Sequence, residues 1–202
     1  MKVSRAMNKH ALIPMMIAFA SVSGCGAAQV QEEAPLAGAR MGGAFTLINQ
    51  DGKTISEKDF AGQYRLIYFG YSFCPDVCPV DVQQLMQGYR LLEKADAKKA
   101  AKLQPIFITV DPQRDTVPVV KQFVSAFHPK LIGLTGSDAQ IAEVAKRYAA
   151  VYQKAEGGTK DAYLMDHSRT AVLYAPDGSP VALIPQDGTP QEIADELTRW
   201  VR

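Results

Sequence analysis

Cys74 and Cys78 lie four positions apart in the run FGYSFCPDVCP, residues 69–79. Two thiols at that spacing can close a disulfide, exchange electrons or share a metal ion. On one helix they would be separated by about 6 Å of axial rise and would face the same way, so bridging and shared coordination are both geometrically allowed. A helix N-terminus carries partial positive charge, which favours thiolate and predicts lowered pKa values for both thiols. A bridge across so short a loop restricts the unfolded chain little, which argues against a purely structural disulfide. Dithiol redox enzymes more often hold two residues between their cysteines, whereas here Pro75, Asp76 and Val77 make three. That departure favours metal binding. A peroxide-reducing cysteine would want Thr or Ser three positions ahead, and Tyr71 and Pro75 stand there instead.

A metal needs further ligands. Of the three histidines, His10 falls in an N-terminal leader. His128, in AFHPK, follows a predicted helix and precedes a proline, so it reads as a helix-end or solvated loop residue. His167, in YLMDHSRTAVLY, precedes a predicted strand and has Asp166 beside it as a candidate to orient its ring. Alone, such a histidine is more often a satisfied loop residue. Together, Cys74, Cys78 and His167 supply two thiolates and an imidazole, a set that suits copper as Cu(I) or Cu(II) and falls one short of a closed structural zinc site. Met165 is a further soft donor, although a core or strand-edge role fits it better.

The elements around these residues alternate. FTLINQDGKTI reads as a hairpin turning at Asp51-Gly52, and RLIYFGYS as a buried central strand. Beyond Pro79, Val82, Leu85, Met86, Tyr89 and Leu92 recur at helical spacing, predicting a helix over residues 80–100 with Pro79 in its first turn. The cysteine loop thus joins a strand end to a helix start. QPIFITVDP is the next strand, VPVVKQFVSAF a helix and LIGLTG a short strand, and Ser137 or Asp138 can cap a helix over AQIAEVAKRYAA. TAVLYAPDGSPVALIP repeats the hairpin pattern at Asp177-Gly178, and TPQEIADELTRWVR closes the chain as a helix. That order predicts an α/β fold, a mixed central sheet flanked by helices with an N-terminal β-hairpin, of the thioredoxin-like kind.

With 202 residues and 47% apolar composition, the chain can bury a core without a disulfide staple and reads as one domain. Lys2, Arg5 and Lys9 precede an apolar run from Ala11 to Val22 that is short for a membrane-spanning helix, so residues 1–24 read as an export signal. The signal ends in Val22-Ser23-Gly24-Cys25, which resembles a bacterial lipobox and makes Cys25 the expected lipid-bearing residue. Removing the leader takes three of 22 basic residues and none of 21 acidic ones, leaving 19 against 21. No basic stripe or interleaved aromatics mark a nucleic-acid partner. Residues 25–40, small and aperiodic, read as a flexible tether, and 41–202 as the folded domain.

FGYSFCPDVCP, TVDPQRDT and YLMDHS, in that order and followed by a PDG hairpin, resemble the Sco/SenC family of copper-binding assembly factors for cytochrome c oxidase. The resemblance runs from about Gly42 to Arg202. It implies a thioredoxin-like domain at the periplasmic face of the bacterial inner membrane, lipid-anchored, with one copper held by Cys74, Cys78 and His167. It also implies a metallochaperone that assists the dinuclear copper centre of oxidase subunit II, with another periplasmic copper chaperone as a second partner. The same thiols would serve the alternatives, a thiol:disulfide oxidoreductase that reduces the acceptor's cysteines, or a copper or redox sensor. Phe73 stands where family members often have histidine, which removes no expected ligand. Asp111, Arg114 and Asp115 match a family signature. Two accounts of them stay open: a locally capped turn, or a loop beside the cysteines that contacts a partner.

Overall fold

The computed structural model describes residues 1–2, 32–160 and 162–202. At its centre, β3 (Tyr64–Gly70) and β4 (Leu103–Thr109) run parallel, in register from Leu66 opposite Pro105 to Phe69 opposite Ile108. Both strands are apolar at consecutive positions because both of their faces are covered. Leu66 and Tyr68 enter one core, with α1 (Val77–Ala95) and α5 (Pro190–Trp200), while Ile67 and Phe69 enter another with α4 (Asp138–Arg147). β5 (Ile132–Thr135) continues the sheet in parallel beside β4. The remaining strands are antiparallel: β1 (Thr46–Asn49) with β2 (Thr54–Ser56) at one edge, β8 (Ala171–Tyr174) with β9 (Pro180–Ile184) at the other. The order β2-β1-β5-β4-β3-β8-β9 is the expected mixed, thioredoxin-like sheet with its N-terminal hairpin.

The residues spaced for the inner face of α1 are buried. Gly88 lies against Ile193 so closely that a Cβ there would meet its side chain at 2.3 Å, so glycine is what lets α1 and α5 approach. The helix predicted over 80–100 is in fact two. It breaks at Asp96, whose carboxylate accepts from the amides of Lys98 and Lys99 and caps α2 (Ala97–Ala101). An acid in cap position outcompeted continuation of the helix. α3 (Val117–Ser125) follows β4 as expected, and Ser137, bonded reciprocally to Gln140, caps α4.

The compact unit runs from Glu33 to Arg202, beginning earlier than the expected start at Met41. The Leu36 amide donates to the Val181 carbonyl at 3.0 Å, and Ala34 and Leu36 pack on the core, so this end of the expected tether is docked. Cys25 and all but the first two residues of the expected signal lie outside the described residues. No described helix is long and apolar enough to cross a membrane. A separate ribbon of β6 (Tyr152–Lys154) and β7 (Met165–His167), pairing Tyr152 with His167, was not anticipated.

Candidate metal centre

The site forms where β3 ends and α1 begins. Ser72 donates from its amide (2.9 Å) to Asp115 and from its hydroxyl to the same carboxylate, which fixes the loop ahead of the cysteines. Cys74 precedes α1 and Cys78 occupies its second position, so the two do not share a helix face as the spacing suggested. The loop folds back instead. Asp76, the N-cap residue, makes no side-chain cap bond, and the Cys74 sulfur accepts the Cys78 amide at 3.4 Å in its place. A sulfur thus does what a cap oxygen usually does.

His167 closes the site from the end of β7. Its Nε2 lies 3.1 Å from the Cys78 sulfur, and its Nδ1 lies 3.1 Å from the Ser168 carbonyl. A carbonyl can only accept, so Nδ1 carries the proton and Nε2 turns its lone pair toward Cys78. Tyr68 and Tyr71 wall the imidazole edge-on, with ring centroids 6.2 and 5.9 Å away. Asp166 does not orient the ring as expected. It faces Gln153 at 3.3 Å, because alternation along β7 sends it away from His167. Met165 is half-buried against the core.

Of the two readings of His128, helix-end or solvated loop residue, the solvated one fails. His128 is buried, edge-on to Tyr89 at 5.1 Å, with Nδ1 accepting the Lys130 amide.

Cys74 and Cys78 are buried free thiols with contrasting environments. Burial pushes the Cys74 thiol up, but the Cys78 and Asp76 amides aimed at its sulfur, together with hydrogen bonds from the Cys78 and Tyr71 side chains, outweigh burial and leave it below the ordinary value. Burial dominates at Cys78 and pushes it far up, so the expectation of two lowered thiols holds for one. Burial also lowers His167, leaving it neutral at physiological pH. Among the described residues no three His, Cys, Asp or Glu side chains already form a metal-holding array. The donors are linked pairwise, Cys74 to the Cys78 amide and Cys78 to His167. Two soft sulfurs and a neutral imidazole nitrogen are the donor chemistry that a thiophilic metal ion takes.

A family model described as SCO1/SenC matches residues 33–202. The chain belongs to the SCO1/SenC family. It is 40% identical over 161 residues to Protein SenC of Rhodobacter capsulatus, covering 80% of this chain and 71% of that one. It is 39% identical over 172 residues to the mitochondrial SCO1 homolog 1 of Arabidopsis thaliana, covering 85% of this chain and 50% of the relative, so it spans about half that protein's length. Among solved structures it resembles Bradyrhizobium japonicum ScoI with copper bound, at TM-score 0.71 and 39% identity over 79% of this chain and 99% of that one.

Of Asp111, Arg114 and Asp115, Asp115 buttresses the cysteine loop, while Arg114 and Asp111 hold Tyr163. Asp115 accepts from Ser72 and, at 2.6 Å, from Thr109. Arg114 bonds Asp111 through Nε at 2.5 Å and the Tyr163 carbonyl at 2.9 Å, and it stacks over the Tyr163 ring at 3.6 Å. A second set was missed in the sequence: buried Asp81, which accepts from the Tyr68 hydroxyl at 2.8 Å and from Arg169 at 3.0 and 2.6 Å. The signal was available. Asp81 lies four residues before Leu85, on the apolar stripe of α1, and a carboxylate on such a stripe requires a partner.

Proposed function

We propose that this protein takes one copper ion as cargo through Cys74, Cys78 and His167 and passes it to an acceptor, the dinuclear copper centre of cytochrome c oxidase subunit II. The observation that carries this reading is the contact between Cys78 and His167, with the Nδ1 proton committed to Ser168 so that the Nε2 lone pair is presented to a metal ion. Cys74, the more readily ionised sulfur, lies in the loop and suits a ligand exchanged with an incoming thiolate, while buried Cys78 suits the ligand that stays. The copper-bound ScoI relative supports the assignment of the metal.

Lipid on Cys25 would hold the domain at the periplasmic face of the inner membrane, since each buried methylene contributes about 0.8 kcal/mol. The chain from Cys25 to Glu33 reaches at most roughly 28 Å when extended, at about 3.5 Å per residue. A domain on so short a leash would meet membrane-embedded acceptors and few others.

The test is a competition titration of the reduced protein with Cu(I). One equivalent should bind, with large losses in Cys74→Ser, Cys78→Ser and His167→Ala; failure of the reduced protein to bind a stoichiometric ion overturns the reading. The contrast between an activated Cys74 and a protonated Cys78 also favours a second reading, thiol:disulfide exchange in which Cys74 attacks the acceptor's disulfide and Cys78 resolves the mixed species. His167→Ala separates the two, because disulfide exchange would persist without the imidazole.

A further inference from the structure

We infer that the ion pair between buried Asp81 and partly exposed Arg169 positions His167 against Cys78. The inference rests on the copper reading for its purpose and on geometry alone for its substance. His167 sits at the end of a ribbon that is separate from the seven-stranded sheet, so the ladders of that sheet do not hold it in place. Arg169, two residues past His167, ties the histidine segment to the cysteine-bearing helix: its guanidinium grips both oxygens of Asp81, three residues past Cys78.

Asp81 is fully buried, and Arg169 keeps 41% of its side chain exposed. A fork-to-carboxylate bond of this kind fixes distance and orientation together. The Tyr68 hydroxyl, bonded to the same carboxylate, extends the restraint to the ring that walls the imidazole. The helix and the histidine segment are therefore joined by Asp81 to Arg169 as well as by Cys78 to His167. The second join does not involve the donors. It persists when Cys78 and His167 part to take or release cargo, so His167 returns to the same place.

Arg169→Leu should lower Cu(I) affinity about tenfold, the usual effect of losing a group that orients a ligand. In a His167→Ala background the same substitution should change affinity little, because the group it positions is gone. Equal losses in both backgrounds, or none in either, overturn the inference. Arg169→Lys keeps the charge without the fork and should recover only part of the loss. Asp81→Asn combined with Arg169→Leu removes both charges, so no carboxylate is left buried without its partner; it should show the loss of Arg169→Leu with little loss of fold. A metal-free readout separates this inference from the copper reading. In the 15N spectrum of the metal-free protein, the His167 Nε2 resonance should move in Arg169→Leu toward that of an exposed neutral imidazole, and an unchanged resonance overturns the inference whether or not copper binds.

Discussion

Gly70 faces Cys78 so closely that a Cβ at position 70 would lie 3.1 Å from the cysteine sulfur, 2.9 Å from the Tyr68 ring and 3.1 Å from Phe107. Three neighbours crowd the last residue of β3, and none is the free end of a flexible chain. Gly70→Ala should therefore push Cys78 off His167 and overpack the core, costing about 1–3 kcal/mol. Thermal unfolding and Cu(I) affinity should fall together. Wild-type affinity in a folded Gly70→Ala protein would show that the close approach is incidental.

The two thiols should titrate in opposite directions in the metal-free protein. Cys78 is raised by burial above its ordinary 9.0, so the folded state keeps that proton after the unfolded chain has lost it. Its contribution to stability is whole below pH 9.0 and is lost as pH rises beyond it. Cys74 is lowered from the same value, so its contribution is present above that value and is lost as pH falls through the folded one. Alkylation followed by mass spectrometry should label Cys74 first near neutral pH, with Cys78 lagging until the solution is strongly alkaline. Equal rates at the two sulfurs would contradict the assignment of Cys74 as the exchanging ligand.

On the acid side, His128 and His167 share a direction. Burial lowers both from the ordinary 6.5. Below pH 6.5 each stays neutral in the fold while the unfolded chain takes up the proton, so the support each gives is whole above pH 6.5 and is withdrawn as pH falls below it. His128→Gln should flatten the acid limb of a stability-against-pH curve without touching metal affinity, and His167→Gln should flatten it while weakening binding. An acid limb unchanged in both variants would place the titration elsewhere.

What the sequence revealed follows from which interactions are local. Strands β3 and β4 announce themselves through unbroken apolar runs, the hairpins through Asp51-Gly52 and Asp177-Gly178, and the inner face of α1 through its spacing. The site was legible as a set of donor types at Cys74, Cys78 and His167, and the structure joins them pairwise. The β6–β7 ribbon was not legible. Tyr152-Gln153-Lys154 and Met165-Asp166-His167 are too short and too polar to alternate, and their pairing is set by the body they lie against. The helix break at Asp96 was missed because helical spacing ran on past a residue whose carboxylate prefers the amides ahead of it. The separate fates of the two thiols depend on where Cys74 sits relative to the first turn of α1, a matter of a residue or two that spacing does not resolve.

Asp115 anchors the cysteine loop from outside it. Its carboxylate takes the Ser72 amide and hydroxyl and the Thr109 hydroxyl, joining the end of β3 to the end of β4. Asp115→Ala leaves the buried Thr109 hydroxyl and the half-buried Ser72 donors without their acceptor, at roughly 1–3 kcal/mol for each one that water fails to reach. The expected result is a fall in melting temperature of several degrees, with faster alkylation of Cys74 as the loop loosens. An unchanged alkylation rate would confine Asp115 to holding the sheet.

Arg114 should govern the segment that leads from β6 to β7. Its guanidinium stacks on Tyr163 at 3.6 Å, donates to the Tyr163 carbonyl at 2.9 Å and lies 5.0 Å from the exposed ring of Phe73, the residue before Cys74. The Tyr163 hydroxyl in turn donates to Asp111 at 2.7 Å, so the connector is pinned through both its backbone and its side chain. Lysine keeps the charge but has neither the planar face that stacks nor the second nitrogen that reaches the carbonyl while the first holds Asp111. In Arg114→Lys, amide exchange over residues 155–160 and 162–164 should accelerate about tenfold, which corresponds to losing about 1.4 kcal/mol of local stability. Exchange in β3 and β4 should stay as it was, since the hydrogen bonds of Arg114 run to Asp111 and Tyr163, which lie outside those strands. If the connector exchanged no faster, its order would have to come from the β6–β7 ladder alone, and Arg114 would be left to the surface beside Phe73.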